Sequence, residues 1–113
     1  MNANDYQQDA LRTEEGLDYD CSTLGLIHGL MGLNGEAGEC IDIYKKYLFQ
    51  GHELDKRHLA LELGDVAWYL AVSAAHLGYD LETIFKMNIE KRNARYPNGF
   101  DSNRSKYRKN YDI

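Results

Sequence analysis

The sequence has 113 residues, of which 43% are hydrophobic and 27% are charged, with a formal net charge of −5. This length fits one domain, residues 1–113, and the composition is that of a globular chain rather than a disordered one. An acidic total argues against a nucleic-acid polymer as partner. No run of residues is long and apolar enough to span a membrane, so we expect no membrane partner. The two cysteines, Cys21 and Cys40, lack the spacing of a zinc site or a disulfide framework, and we therefore expect a cytoplasmic protein.

The charges are distributed unevenly along the chain. Residues 1–43 hold nine acids and one base, whereas residues 86–109 hold eight bases and two acids. An acidic half can hold cations, and a basic half can receive an anion.

Capping residues predict two helices in the first half of the chain. We expect a short helix over about residues 4–13. Ser22 or Thr23 can cap a second helix that runs to about Phe49, and Gly51 closes it.

Two further helices and a tail follow. Asp55 can cap a third helix, which stops at Gly78. Asp80 can cap a fourth, which ends before Pro97 because the residue preceding proline avoids the α region. The tail, residues 97–113, is predicted to be an extended or loosely ordered arm.

The third predicted helix is apolar on nearly all sides. Two stripes lie on opposite sides of it: Leu59, Leu63, Val66, Leu70, Ser73 and Leu77 on one, and Leu61, Trp68, Val72 and Ala75 on the other. A helix of this kind has to be buried all round, which is difficult in a monomer of this size. We therefore predict an all-α fold, a four-helix bundle that assembles with itself as a homodimer or homotetramer.

Two pairs of carboxylates occupy matching positions on the second and third helices. Glu36 and Glu39 lie beside the apolar stripe of the second helix, and Glu62 and Asp65 lie on the polar flank of the third. That apolar stripe, expected to face the core, consists of Leu26, Leu30, Leu33, Ala37, Ile41, Tyr44 and Leu48. Residues three apart are neighbours on one helical face, and carboxylates bordering apolar faces are costly unless cations neutralise them.

The ligand type narrows the choice of cation. Carboxylate oxygens suit Mg²⁺, with Mn²⁺ as the alternative. The chain has no EF-hand loop for calcium, and neither carboxylate pair has the Glu-x-x-His form of a di-iron bundle. A solvated acidic surface is the competing interpretation.

Gly25, Gly29 and Gly32 lie upstream on the strip that carries Glu36 and Glu39. A glycine inside a helix costs roughly 0.5–1 kcal/mol relative to alanine, so a contact should offset that cost. Two explanations remain open at this point, room for a ligand beside the metals and close packing between helices.

The fourth predicted helix carries a cationic strip. Asn88, Lys91 and Arg95 share one face with Ile84. Cations with an amide can bind phosphate oxygens, although a solvated basic face would show the same pattern.

Three stretches of the sequence carry these candidate residues in order: GLNGEAGEC (residues 32–40), LELGDVAWYL (residues 61–70) and NIEKRNARYPNGF (residues 88–100). Together they resemble the MazG-like family of all-α nucleoside triphosphate pyrophosphohydrolases, in its short single-domain form. The resemblance implies Mg²⁺ ligands at the Glu-x-x-Glu and Glu-x-x-Asp motifs, which are Glu36, Glu39, Glu62 and Asp65. It also implies that Asn88 and Lys91 contact phosphate and that Tyr96 lies near the nucleotide.

The activity implied by this resemblance is hydrolysis of a (deoxy)nucleoside triphosphate to the monophosphate and pyrophosphate. We expect Glu39 to accept the proton of the attacking water and Lys91 to stabilise charge on the phosphate chain. Arg95 is a further phosphate contact, Trp68, Tyr69 and Tyr96 are candidate base contacts, and His76 is expected in the core or at its rim.

Two alternatives remain for the function. One is a relative that acts on phosphoribosyl-ATP or on one particular pyrimidine nucleotide. The other is a non-catalytic helical oligomer that binds nucleotide or metal for regulation.

Overall fold

In a computed structural model, which describes residues 1–14 and 22–108, the chain folds into five helices. They are α1 (Ala3–Glu14), α2 (Ser22–Phe49), α3 (Lys56–His76), α4 (Leu81–Arg95) and the short α5 (Ser102–Lys106). No strand forms within these two ranges, so the predicted all-α fold is confirmed. No helix in them has the length and apolarity needed to cross a membrane.

The predicted caps account for the bounds of α3 and α4. The Asp55 carboxylate accepts a hydrogen bond from the His58 backbone N–H at 2.9 Å, and Asp80 does the same for Thr83 at 2.8 Å. Both carboxylates therefore satisfy an amide that has no partner within its helix. At the helix ends, Gly78 adopts a φ of +85°, a conformation that other residues rarely adopt.

The tail differs in part from the extended arm that the sequence predicts. Asp101 caps α5 by accepting hydrogen bonds from the amides of Asn103 and Arg104. The Arg104 Nε then donates to the carbonyl oxygen of Arg95 at 2.6 Å, which ties this short helix to the end of α4. Residues 109–113 lie outside the described part of the chain, as does Cys21.

The core is small and lies where α1, the second half of α3 and the start of α4 meet. Four buried apolar side chains form one contacting cluster there, Ala10, Ala71, Val72 and Leu81, and Ala74 is buried as well. The buried Gln7 joins the three helices, because its amide nitrogen donates to the carbonyl oxygens of Ala71 and Tyr79 while its oxygen accepts from the Leu81 amide. Satisfying the whole side-chain amide in this way keeps the cost of burying it low.

The apolar stripe of α2, expected in the core, is not buried within the chain. The exposed fraction is 65% for Ile41, 55% for Leu48 and 48% for Leu30. The radius of gyration is 17.2 Å, whereas a compact chain of about 100 residues has one of about 13 Å. The stripe prediction is therefore wrong for a single chain, because the periodicity identifies an apolar face without identifying what covers it.

The face of α2 that packs against α3 is the glycine strip instead. A Cβ added to Gly25 would overlap the ring of His76, one on Gly29 would overlap Ser73, and one on Gly32 would overlap Tyr69. Of the two explanations for these glycines, the structure supports close packing between helices.

Candidate metal centre

The antiparallel packing of α2 on α3 brings the two carboxylate motifs together. Gly25 lies opposite His76 and Gly32 lies opposite Tyr69, so each turn further along α2 meets an earlier turn of α3. The same register continues one turn beyond Gly32 and places Glu36 opposite Asp65. Glycines at the crossing let the two backbones approach closely enough for side chains from both helices to meet.

Three of the four predicted ligands converge. Glu36, Glu62 and Asp65 each offer a carboxylate oxygen, and these three oxygens lie within 4.8 Å of one another. Opposite ligands of an octahedral Mg²⁺ are about 4.2 Å apart, twice the metal–oxygen distance, so small side-chain adjustments would close the group around an ion. The donor set therefore fits a hard divalent cation.

Glu39 lies outside this group of three. It is exposed, and its negative charge contributes to the raised pKa of Glu36. Glu39 is therefore close enough to act on the cluster electrostatically while its own oxygens remain outside the set of converging ligands.

The three carboxylates of the cluster repel one another, and the neighbouring His58 offsets their charge only in part. A hydrogen bond with Glu62 raises the pKa of Glu36, and partial burial and the charges of Glu62 and Asp65 act in the same direction. His58 supplies one polar contact from outside, with its Nε2 3.3 Å from a Glu62 oxygen. Carboxylate oxygens held this close together repel one another, and a divalent cation bound between them would neutralise that repulsion.

Aromatic side chains form the wall beside the carboxylates. Glu36, Asp65, Trp68 and Tyr69 line one cavity of about 320 Å³. The Trp68 and Tyr69 rings meet edge to face, with centroids 4.9 Å apart. Trp68 also donates its indole N–H to the Thr13 hydroxyl at 2.8 Å, a contact from α1 that no sequence pattern indicated.

The cationic strip of α4 occupies another part of the surface. Asn88 and Lys91 line a depression with Ile84, Met87 and Glu90, and none of the three converging carboxylates forms part of its lining. The Asn88 side-chain oxygen accepts a hydrogen bond from Arg92 at 2.9 Å. The described chain thus does not place the predicted phosphate contacts in the cavity that holds the predicted metal ligands.

The remaining predicted residues are distributed as follows. Tyr96 follows α4 and its ring packs against Phe100, with centroids 5.3 Å apart. His76 lies next to the core, where its Nε2 is 2.9 Å from a carboxylate oxygen of the buried Glu14.

His58 was missed by the sequence analysis, although its position four residues before Glu62 on α3 is the spacing of helical neighbours.

Comparison with known proteins provides the deciding observation. A family model described as the MazG nucleotide pyrophosphohydrolase domain matches residues 28–100, which is more than half of the chain. The chain belongs to the MazG family. The chain is also 38% identical over 85 residues to the gene 37 protein of Mycobacterium phage L5, covering 71% of this chain and 75% of that protein. No solved structure matches.

Membership gives the acidic cluster a general functional context. The MazG domain supports activity of the nucleotide pyrophosphohydrolase type, and members of the family generally depend on divalent metals. The matched segment includes every predicted metal ligand and the whole of α3 and α4, whereas α1 lies outside it.

Proposed function

We propose that this MazG domain hydrolyses (deoxy)nucleoside triphosphates to the monophosphate and pyrophosphate, with Mg²⁺ bound by Glu36, Glu62 and Asp65. The single observation that supports this proposal most is the convergence of three carboxylate oxygens from two helices beside an aromatic cavity. When bound, the metal neutralises the triphosphate and lowers the pKa of a water molecule. Mn²⁺ has the same preference for oxygen ligands and is the expected substitute.

The residues of the chain then have distinct roles. Glu39, adjacent to the cluster but outside the converging set, accepts the proton of the water that attacks the α-phosphorus. Trp68 and Tyr69 form the wall on which the base lies. Lys91 binds the phosphate chain, assisted by Asn88 and Arg95, and Tyr96 contacts the nucleotide.

Self-association is part of this proposal. A hollow of about 360 Å³ on α2, with Ile41, Leu48 and Phe49 in its lining, is exposed in the single chain. Large apolar patches of this kind mark protein interfaces, and the extended shape of the monomer leaves room for a partner. We propose a homodimer or homotetramer, in which α4 of a second copy can approach the carboxylates that α4 of the same chain does not reach.

The decisive experiment measures pyrophosphate release from dCTP, dUTP, dATP, dGTP and phosphoribosyl-ATP, with Mg²⁺ and with EDTA. Glu62→Gln should lower turnover by more than roughly 100-fold, because altering even an outer-shell partner of a metal typically costs 10–100-fold. Glu53→Gln, an equal change of charge at an exposed position between α2 and α3, should leave it unchanged. Nucleotide binding without pyrophosphate release would instead identify a regulatory binding protein. For either function, we propose that the protein is located in the cytoplasm.

A further inference from the structure

We propose that Thr13 is a positioning residue for the nucleobase, because its hydroxyl fixes the indole ring of Trp68 at the wall of the candidate site. Thr13 belongs to α1, which lies outside the segment matched by the family model. Through Thr13, α1 would then adjust the base preference of the matched domain. This inference rests on the proposed function, since it concerns how the same cavity binds its substrate.

The hydrogen bonds of Thr13 leave its hydroxyl one orientation. The Thr13 Oγ1 donates to the carbonyl oxygen of Ala10 at 2.9 Å and accepts the indole N–H of Trp68 at 2.8 Å. An indole N–H can only donate, so the direction of the second bond is fixed. Ala10 is buried in the core, which anchors the acceptor and through it the hydroxyl.

Trp68 is held on several sides while part of it faces the cavity. One side of the residue packs against the core cluster, and the ring of Tyr69 meets the indole edge to face. Tyr69 is held in turn against Gly32 of α2. The indole therefore forms a rigid wall, of the kind on which a nucleobase stacks with little loss of side-chain entropy.

The spacing along α3 suits a nucleotide. Asp65 and Trp68 are three residues apart on α3 and are therefore neighbours on one face, about 5–6 Å apart at their Cβ atoms. A substrate whose phosphates bind at the carboxylates would direct its sugar and base along α3 towards the indole. Burial, and after it the charge of Asp65, raises the pKa of Tyr6, and the bond between Trp68 and Thr13 places α1 beside this site.

If Thr13 had only a structural role, loss of its hydroxyl would displace α1 rather than the indole alone. The end of α1 is already attached to α3 by the pair formed by Glu14 and His76. Removal of the Thr13 hydroxyl should therefore leave α1 in place and change only the setting of the indole. Trp68 is the single tryptophan of the chain, so its fluorescence reports this wall directly.

The test compares Thr13→Val, which keeps the shape and loses the hydroxyl, with Thr13→Ser, which keeps the hydroxyl. In the nucleotide-free full chain, Thr13→Val should shift the emission maximum of Trp68 and increase its quenching by acrylamide, whereas Thr13→Ser should resemble the parent. KM for the nucleotides should rise about 2- to 10-fold in Thr13→Val, the equivalent of one hydrogen bond, with little change in kcat. Inhibition by tripolyphosphate, which has no base, should be unaffected.

Unchanged fluorescence and unchanged KM in Thr13→Val would overturn the inference, as would an equal loss of affinity for tripolyphosphate. If Thr13→Val does not fold, Trp68→Phe must raise KM, and an unaltered KM contradicts the inference. If the parent protein releases no pyrophosphate at all, the proposed function fails. Quenching of Trp68 by dCTP with Mg²⁺, compared between parent and Thr13→Val, then still decides the role of Thr13.

Discussion

Gly32 of α2 lies directly against the ring of Tyr69 of α3, and no side chain larger than hydrogen fits between them. One helical turn further along the same register, Glu36 meets Glu62 and Asp65. The close approach at the glycine thus determines how near the carboxylates of the two helices come. Packing and the candidate metal site are two consequences of the same helix crossing.

Alanine substitutions at two glycines of α2 should have opposite effects on stability. Gly32→Ala forces the Tyr69 ring to move and should lower the free energy of unfolding by about 1–3 kcal/mol. At Gly35 an added Cβ meets no atom within 4 Å, so Gly35→Ala should raise it by up to about 1 kcal/mol through helix propensity. Urea denaturation measures both, and equal effects at the two positions would contradict the packing described here.

Glu36→Gln and Glu39→Gln should affect different kinetic constants. Glu36 belongs to the converging group, so its substitution should raise the Mg²⁺ concentration required for half-maximal activity. Glu39 lies outside it, so Glu39→Gln should keep the Mg²⁺ requirement and lower kcat by roughly 10²–10⁴-fold, the range of a lost general base. Mg²⁺ titrations of both variants provide the measurement. A comparable rise in Mg²⁺ requirement for Glu39→Gln would show that Glu39 is a ligand.

Stabilisation by Mg²⁺ should increase with pH. The hydrogen bond with Glu62 raises the pKa of Glu36, so the folded chain binds this proton more tightly than the unfolded chain does. The resulting stability is present at low pH and is lost as the pH rises through the folded pKa of Glu36. The melting temperature with Mg²⁺ minus that with EDTA should therefore be larger at about pH 7.5 than at about pH 5, where protons compete with the metal.

Glu36→Gln serves as the control for this measurement. The variant also has one ligand fewer, so it is measured at a Mg²⁺ concentration that saturates it; there the pH dependence of the Mg²⁺ effect should weaken because the titrating group is gone. A Mg²⁺ effect that is independent of pH in the parent would contradict the raised pKa of Glu36.

A charge on the exposed face of α2 should dissociate the proposed oligomer. Ile41 is 65% exposed in the single chain and lines the apolar hollow, so Ile41→Asp would bury an unpaired carboxylate in any interface formed there. Size-exclusion chromatography with light scattering should show a smaller species for Ile41→Asp. Gln8→Glu, which adds the same charge at an exposed position of α1, should retain the parent assembly. A monomeric parent protein would refute the proposal directly.

Local features were predictable from the sequence where a local physical rule applies. The starts of α3 and α4 follow from the Asp55 and Asp80 caps, the end of α3 from Gly78, and the end of α4 from Pro97. The meeting of Glu36 with Asp65 was also within reach, because helical periodicity places each on the flank of an apolar helix.

Other features depend on contacts that no periodicity contains. The exposure of Ile41 could not be predicted, because an apolar stripe looks the same whether it faces the core or a second molecule. The bond between Thr13 and Trp68 joins residues 55 positions apart through a single hydroxyl. The separation of Lys91 from the carboxylates likewise depends on how α4 packs, which the sequence pattern of α4 alone does not specify.

All three converging carboxylates belong to regular helices, and no loop residue is among them. The backbone of Glu36 can therefore move relative to that of Glu62 and Asp65 only if the helix axes separate or rotate, and side-chain rotation supplies the remaining adjustment. Mg²⁺ requires oxygen ligands at about 2.0–2.1 Å and Ca²⁺ at about 2.3–2.6 Å. The distance from the metal to each oxygen therefore differs by up to about half an ångström between the two ions. In a centre built this way, discrimination between the two ions is governed by the small residues at the helix crossing as much as by the carboxylates themselves.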